Sequence, residues 1–292
     1  MKFGRFEIRS FVEQKFRLDG GLMFGVIPKT LWNRLLPADE NNLIPMLNNI
    51  FVLNAHGKTM IFDAGLGDTL SNREKKIYGT DGISNLDAGL ASFGYKPEDI
   101  DYVILTHLHT DHCGGAVKFD ANGKYVPRFP KAKYIVSKTE WEAALHSDER
   151  TSAVYIPERL YPLKESGQLE LIEPDCELFQ GIRAIHTGGH SVGHFGIEME
   201  SEGRKVFYYA DIFPSSHHMR LPFVPATDVF PLTSLNVKRQ LLPRIIQEQV
   251  IVAYDHEIAF PFGRVFEREG KIVVEPVLDT STAKTSPVKT VH

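Results

Sequence analysis

From Phe3 to Phe16 (FGRFEIRSFVEQKF) apolar and polar side chains alternate with a bias toward β-forming residues, which predicts a strand or hairpin turned by Asp19-Gly20-Gly21. Ile50–Asn54 (IFVLN) and Thr59–Phe62 (TMIF) are short apolar runs split by His56-Gly57-Lys58, a hairpin whose buried second strand ends at Asp63-Ala64-Gly65. Ser84 can cap a helix over Asn85–Phe93 that stops at Gly94, and Tyr102–Leu105 is then a buried strand feeding Thr106-His107. Tyr134–Val136 is a further strand, and Ser137-Lys138-Thr139-Glu140 forms a capping box for a helix over Thr139–Leu145. Beyond it the pattern turns irregular. Ile182–Ile185, Phe195–Met199 and Val206–Tyr209 read as strands, the last two joined as a hairpin. Thr233–Gln249 has helical spacing but contains Pro243, which predicts a kink or a split, and Val250–Ala253 is the closing strand. These elements predict one domain over 1–280 and a frayed tail over 281–292.

The chain has 292 residues, 42% hydrophobic and 24% charged, which excludes disordered, collagen-like and coiled-coil proteins. Its formal net charge of −4 argues against wholesale binding to nucleic acid or anionic membrane. No run is long and apolar enough for a membrane span, and Met1–Ser10 lacks the apolar core of a secretion signal. With only Cys113 and Cys176 available, no disulfide framework is expected, and a reducing, cytoplasmic setting fits.

The chemistry gathers in Thr106-His107-Leu108-His109-Thr110-Asp111-His112, three imidazoles and a carboxylate just after a buried strand. A lone histidine is usually a core or surface residue, but this density of ligand-type side chains points to metal, since imidazole and carboxylate suit zinc, iron and manganese. In a loop leaving a strand, His107 and His109 can face one point while Asp111 and His112 serve a neighbouring one. Cys113, beside them, reads as a packing residue rather than a reactive thiol.

This pattern resembles the metallo-β-lactamase superfamily, whose hallmark H-x-H-x-D-H is followed by a glycine-flanked histidine, an aspartate and a last histidine. The counterparts are His190 in Gly188-Gly189-His190-Ser191, Asp211 after Val206–Tyr209, and His256 after Val250–Ala253. The resemblance implies an α/β fold, a four-layer αβ/βα sandwich with a dinuclear metal site at the sheet edge. It also implies that His107, His109 and His190 hold one ion, that Asp111, His112 and His256 hold the other, and that Asp211 bridges them. Asp63 matches an early aspartate that orients a ligand histidine, although an aspartate before glycine can equally be a turn former.

Several branches of that superfamily fit poorly. His109 stands where flavin-linked di-iron members carry glutamate, the span from His190 to Asp211 is too short for the nuclease insertion, and Asp211 replaces the cysteine usual in antibiotic-hydrolysing members. Leu18–Lys29 (LDGGLMFGVIPK), with Leu31-Trp32, is instead similar to the opening of quorum-quenching N-acyl homoserine lactonases of the YtnP type. The implied function is opening of a lactone ring by a metal-bridging hydroxide, with Asp111 returning a proton to the leaving oxygen. The rival readings are a promiscuous esterase or organophosphate hydrolase, and a non-catalytic metal-binding protein. Expected cofactors are two divalent ions, zinc first, with iron, manganese or cobalt as alternatives. The expected partner is a small acyl lactone or ester, with no nucleic acid or membrane, and a homodimer is allowed for. Pro214 stands where better-known lactonases have a tyrosine, so His218, or Ser215, Ser216 or His217, is a candidate to polarise the carbonyl. Met23 and Phe24 are expected to line an acyl-chain pocket, with ordinary core as the alternative.

Overall fold

The computed structural model describes residues 1–277, so the tail expected over 281–292 lies outside the described residues. The first sheet is built from β1 (Lys2–Phe3), β2 (Phe6–Asp19), β3 (Leu43–Ala55), β4 (Lys58–Phe62) and β5 (Tyr102–Ile104). After a small hairpin, β6 (Val117–Phe119) and β7 (Tyr125–Pro127), it is completed by β8 (Lys133–Ser137) and β9 (Leu169–Ile172), in the order β1-β2-β3-β4-β5-β8-β9. The second sheet runs in chain order: β10 (Cys176–Phe179), β11 (Ile182–His186), β12 (Phe195–Ser201), β13 (Arg204–Tyr208), β14 (Ile251–Ala253), β15 (Phe262–Arg268) and β16 (Lys271–Pro276). The helices are α1 (Gly20–Phe24), α2 (Lys29–Trp32), α3 (Asn72–Ile77), α4 (Leu86–Ser92), α5 (Thr110–Cys113), α6 (Lys138–Leu145), α7 (Pro157–Glu165) and α8 (Pro231–Gln247).

Alternate side chains of the same strand serve different layers. Phe51, Leu53, Met60, Phe62 and Ile104 point between the sheets and meet Ile197, Met199, Val206, Tyr208 and Phe262 of the second sheet. Val52, Ile61 and Val103 point the other way, onto Leu86, Leu90, Trp141, Leu160 and Leu163 of the helices. On the far side of the second sheet, Phe207, Val252 and Val265 pack on Leu241, Leu242 and Ile245 of α8. Helices, sheet, sheet and helix make the four-layer α/β sandwich, and strands buried on both faces explain why IFVLN and TMIF are unbroken apolar runs. No helix among the described residues is long and apolar enough to cross a membrane.

Several local expectations are corrected. Asp19-Gly20-Gly21 is not a bare turn: the Asp19 carboxylate accepts from the Gly21 and Leu22 amides and caps α1. The capping box at Ser137 is half formed, because Ser137 accepts from the Glu140 amide while the Glu140 carboxylate turns inward to other donors. The region read as irregular holds α7, β9 and β10. Pro243 does not divide α8, which runs unbroken over 17 residues. A proline inside a helix costs about 3 kcal/mol, but Pro243 sits on the exposed face while Leu241, Leu242 and Ile245 are buried, each contributing roughly 1.5–3 kcal/mol. Val250–Ala253 is not the last strand either, since the β15–β16 hairpin follows it at the sheet's edge.

Candidate metal centre

Strands β4, β5 and β8 are parallel, as are β13 and β14, so their carboxyl ends deliver side chains to one rim of the sandwich. Beyond β5 the chain passes through His107 and His109 into α5, which carries Asp111 and His112. Beyond β13 a tight turn places Asp211, beyond β14 come Asp255 and His256, and the β11–β12 connection carries His190. Glycine is required in that connection: Gly189 has φ +77°, and an added Cβ would lie 2.3 Å from Ser234 Oγ at the start of α8.

Two donor groups result. In the first, one ligand atom from each of His107, His109, His190 and Asp211 lies within 4.8 Å of the others; in the second, the same holds for His112, Asp211, Asp255 and His256. Asp211 belongs to both. Its Oδ2 is 2.9 Å from His190 Nε2, 3.7 Å from His107 Nε2 and 3.5 Å from His112 Nε2, while its Oδ1 is 3.3 Å from His256 Nε2. Asp111 Oδ2 stands 3.8 Å from His256 Nε2 and 4.0 Å from His112 Nε2. Six of the seven residues expected from the sequence fall in these two groups, Asp111 lies beside the second, and Asp255 stands within it.

The outer ring nitrogens dictate what the inner ones can do. Nδ1–H of His112 donates to Asp63 at 3.0 Å, that of His190 to Asp228 at 2.9 Å, and that of His256 to the Leu47 carbonyl at 3.0 Å. Each such bond fixes ring orientation and turns Nε2 toward the shared space, as a ligand histidine requires. Asp63 also accepts from the Thr106 amide and hydroxyl and from the Tyr208 hydroxyl, so its buried carboxylate is fully engaged. Burial, reinforced by neighbouring imidazoles, holds His107 and His109 well below their ordinary pKa. Burial opposes the charge on His190 and His256 too, but carboxylates, Asp211 foremost for His190 and Asp255 for His256, raise them to about 10 and about 9. The buried Nε2 atoms of His107, His109 and His112 have no hydrogen-bond partner among the described residues. Imidazole nitrogens and carboxylate oxygens that converge in one buried space, several of them without a partner, fit divalent metal ions, whose binding would displace the protons held there.

Two carboxylates, Glu140 and Glu13, serve this rim in roles that the sequence pattern does not show. The buried Glu140 side chain accepts from the Leu108 amide, the Tyr155 and Ser191 hydroxyls and the Gly193 amide, tying the His107–His109 loop to the His190 loop. Glu13 sits at a bulge in β2 that sends its carboxylate to the Leu66 and Gly67 amides. Gly65 leaves room for it, since a Cβ there would fall 2.4 Å from Glu13 Oε2. Asp255 could have been found by the rule that singled out Asp111, a carboxylate beside a histidine after a buried strand; Asp228, in a loop without a motif, gave no signal.

A cavity of about 280 Å³ opens over His109, Asp111, His190 and Asp211, walled by Leu18, Leu22, Met23, Ile77 and Tyr78, with Arg150 and Thr151 among its polar residues. Met23 is thus on its wall, but Phe24 is not. The Phe24 ring is fully buried, stacked between Trp32 and His218 at 5.3 Å from each, and belongs to a core cluster beside the site. His218 is corrected as well. Its Nε2–H donates to the Met23 carbonyl at 2.8 Å, its Nδ1 accepts from Ser215 Oγ at 2.8 Å, and burial lowers its pKa to about 3. With both nitrogens engaged it cannot polarise a substrate carbonyl. The Cys113 thiol donates to the Leu108 carbonyl and burial pushes its pKa up to about 12, as suits a packing residue.

Two facing sheets with two histidine and aspartate donor groups on one rim define the scaffold of a metal-binding protein. The chain belongs to the metallo-β-lactamase superfamily, whose family profile matches residues 43–257. An N-acyl homoserine lactonase from a Bacillus species is 29% identical over 224 residues, covering 71% of this chain and 80% of that protein. The crystal structure of a probable metal-dependent hydrolase from Staphylococcus aureus is 32% identical with a TM-score of 0.86, covering 96% of this chain and 100% of that one. AidC, a dizinc quorum-quenching lactonase crystallised with a product, shares the fold at a TM-score of 0.77 and 19% identity, covering 96% and 97%.

Proposed function

We propose that the protein hydrolyses the ring ester of N-acyl homoserine lactones at a two-ion centre. The observation that carries this reading is the cavity itself, lined both by the metal-donor residues His109, Asp111, His190 and Asp211 and by the apolar side chains of Leu18, Leu22, Met23 and Ile77. Likeness to the Bacillus lactonase supports the substrate class. His107, His109 and His190 would hold one ion, Asp111, His112 and His256 the other, with Asp211 between them. Bound there, divalent ions, zinc by first expectation, supply an acidified water and a Lewis acid for the carbonyl oxygen.

The chain's own residues do the rest. Asp63, Asp228 and the Leu47 carbonyl hold three imidazoles in register, and Glu140 keeps the two ligand loops at a fixed separation. Asp111, part-exposed on the cavity wall, is placed to pass a proton to the ring oxygen as the ester bond breaks. Arg150, whose Nη2 is anchored by the Ala226 and Asp228 carbonyls, offers its remaining N–H groups to the amide carbonyl of the acyl arm. Met23 and its apolar neighbours receive the chain.

The test is steady-state turnover of the metal-loaded protein on N-acyl homoserine lactones of increasing chain length, aryl esters and phosphotriesters. Each added methylene should favour binding by up to about 0.8 kcal/mol, roughly a fourfold fall in KM, until the apolar wall is filled. A kcat/KM for an aryl ester or phosphotriester well above that of every lactone replaces this reading with a promiscuous hydrolase.

A further inference from the structure

One carboxylate at the rim has no role among the seven donors or the groups that orient them. Asp255 is 3% exposed, and both of its carboxylate oxygens are buried with no hydrogen-bond partner among the described residues. The other buried aspartates differ: Asp63 accepts from four donors, and Asp228 and Asp211 each lie 2.9 Å from a nitrogen of His190. Asp255 Oδ2 instead faces His256 Nε2 at 3.4 Å and His112 Nε2 at 3.8 Å, contacts too long to satisfy it.

Its aim is built into the backbone. Asn49 of β3 takes the turn in a three-point grip: its amide donates to the Asp255 carbonyl at 2.8 Å, and its side-chain Nδ2 donates to the carbonyls of Tyr254 and Glu257. The His256 amide donates to the Pro214 carbonyl, which ties the same turn to the segment after Asp211. A carboxylate locked out of water without donors is strongly disfavoured unless a cation completes it. The space it faces already holds the inward nitrogens of two histidines and an oxygen of Asp211.

We infer that Asp255 is an additional ligand of the second metal ion, beside His112, Asp211 and His256, a role that rests on the two-ion reading of the site. The two positions are then chemically unequal. Three imidazoles dominate the first, whereas the second gathers carboxylates from Asp111, Asp211 and Asp255, a harder donor set that favours an oxygen-seeking ion of higher coordination number.

The experiment compares full-length wild type and Asp255→Asn, each stripped with chelator and reloaded with cobalt(II). Elemental analysis gives the stoichiometry, competition with a chromophoric chelator gives the two affinities, and visible absorption reports the cobalt ligand field. Wild type should hold two ions; the variant should keep the first with unchanged affinity, bind the second about tenfold or more weakly, and show altered cobalt bands. The metal-free variant should also melt no lower than metal-free wild type, because a buried carboxylate without a hydrogen-bond donor has been replaced by a neutral amide. Two ions bound by the variant at wild-type affinity, with an unchanged spectrum, overturn the assignment while leaving the two-ion reading in place. Fewer than two ions in reloaded wild type overturns that reading and this inference together. Should the Asn chain fail to fold, Asp255→Ala gives the same readout.

Discussion

A buried imidazole has two nitrogens, and the partner of the outer one decides the use of the inner one. His112 and His190 spend Nδ1 on Asp63 and Asp228, which frees Nε2 for the shared space; His218 spends both nitrogens on the protein and is left with none. Removal of an orienting carboxylate should therefore act on one ion at a time. Asp228→Asn is expected to weaken the ion at His190, and Asp63→Asn the ion at His112, each by about 10–100-fold in affinity. Chelator competition on the two variants checks this, and equal weakening of both ions by either one contradicts it. His218→Ala should behave differently: deletion of a ring stacked on Phe24 and hydrogen-bonded at both ends costs about 2–4 kcal/mol of stability. Its kcat on a short-chain lactone should stay close to wild type while Tm falls. A large loss of kcat at unchanged Tm would restore His218 to the chemistry.

The same division between visible pattern and invisible partner runs through the elements. Runs such as IFVLN, TMIF and YVIL were legible because their strands are covered on both faces, which leaves an unbroken apolar signature. Strands β9 and β10 carry glutamates on open faces and β16 is half-exposed, so their signal is weak and only pairing with neighbours defines them. Glu140 read as a helix cap because its spacing from Ser137 is right, yet the tertiary structure claims its carboxylate for the ligand loops. Lys238 in α8 is a further case, a cation on a helix that looked amphipathic, buried with Nζ donating to the Arg220 and Phe223 carbonyls. Burial lowers its pKa to about 7 from the usual 10.5. Between those values the unfolded chain binds the extra proton and the folded chain does not, so this residue's contribution makes stability rise with pH from about 7 toward 10.5, and it is level at its least favourable value below about 7, where both states are protonated. Lys238→Met should flatten that part of the stability–pH curve measured by urea unfolding; an unchanged slope means that Lys238 stays charged in the fold.

At the scale of the whole molecule, the donors are split between the two halves of the sandwich. His107, His109, Asp111 and His112 follow a strand of the first sheet, while His190, Asp211, Asp255 and His256 follow strands of the second. Ions bound among them would cross-link the sheets at the rim, whereas the apolar layer that joins the sheets is made by Phe51, Met60, Phe62, Ile197, Val206 and Tyr208 and owes nothing to metal. Chelation should therefore lower stability without dissolving the fold, in contrast to small metal-nucleated domains that unfold when stripped. Each ion at 100 times its Kd contributes about 2.7 kcal/mol, so loss of two should lower Tm by on the order of 10 °C in a chain of this size. The far-ultraviolet circular dichroism of the stripped protein should stay close to native at 25 °C. Protease sensitivity should rise first in the loops around His190 and Asp211, which are braced to the His107–His109 loop by Glu140 and by the shared ligands. A Tm that does not respond to chelator and metal, in protein shown by elemental analysis to gain and lose two ions, would mean that the rim is rigid on its own and that the ions serve chemistry alone.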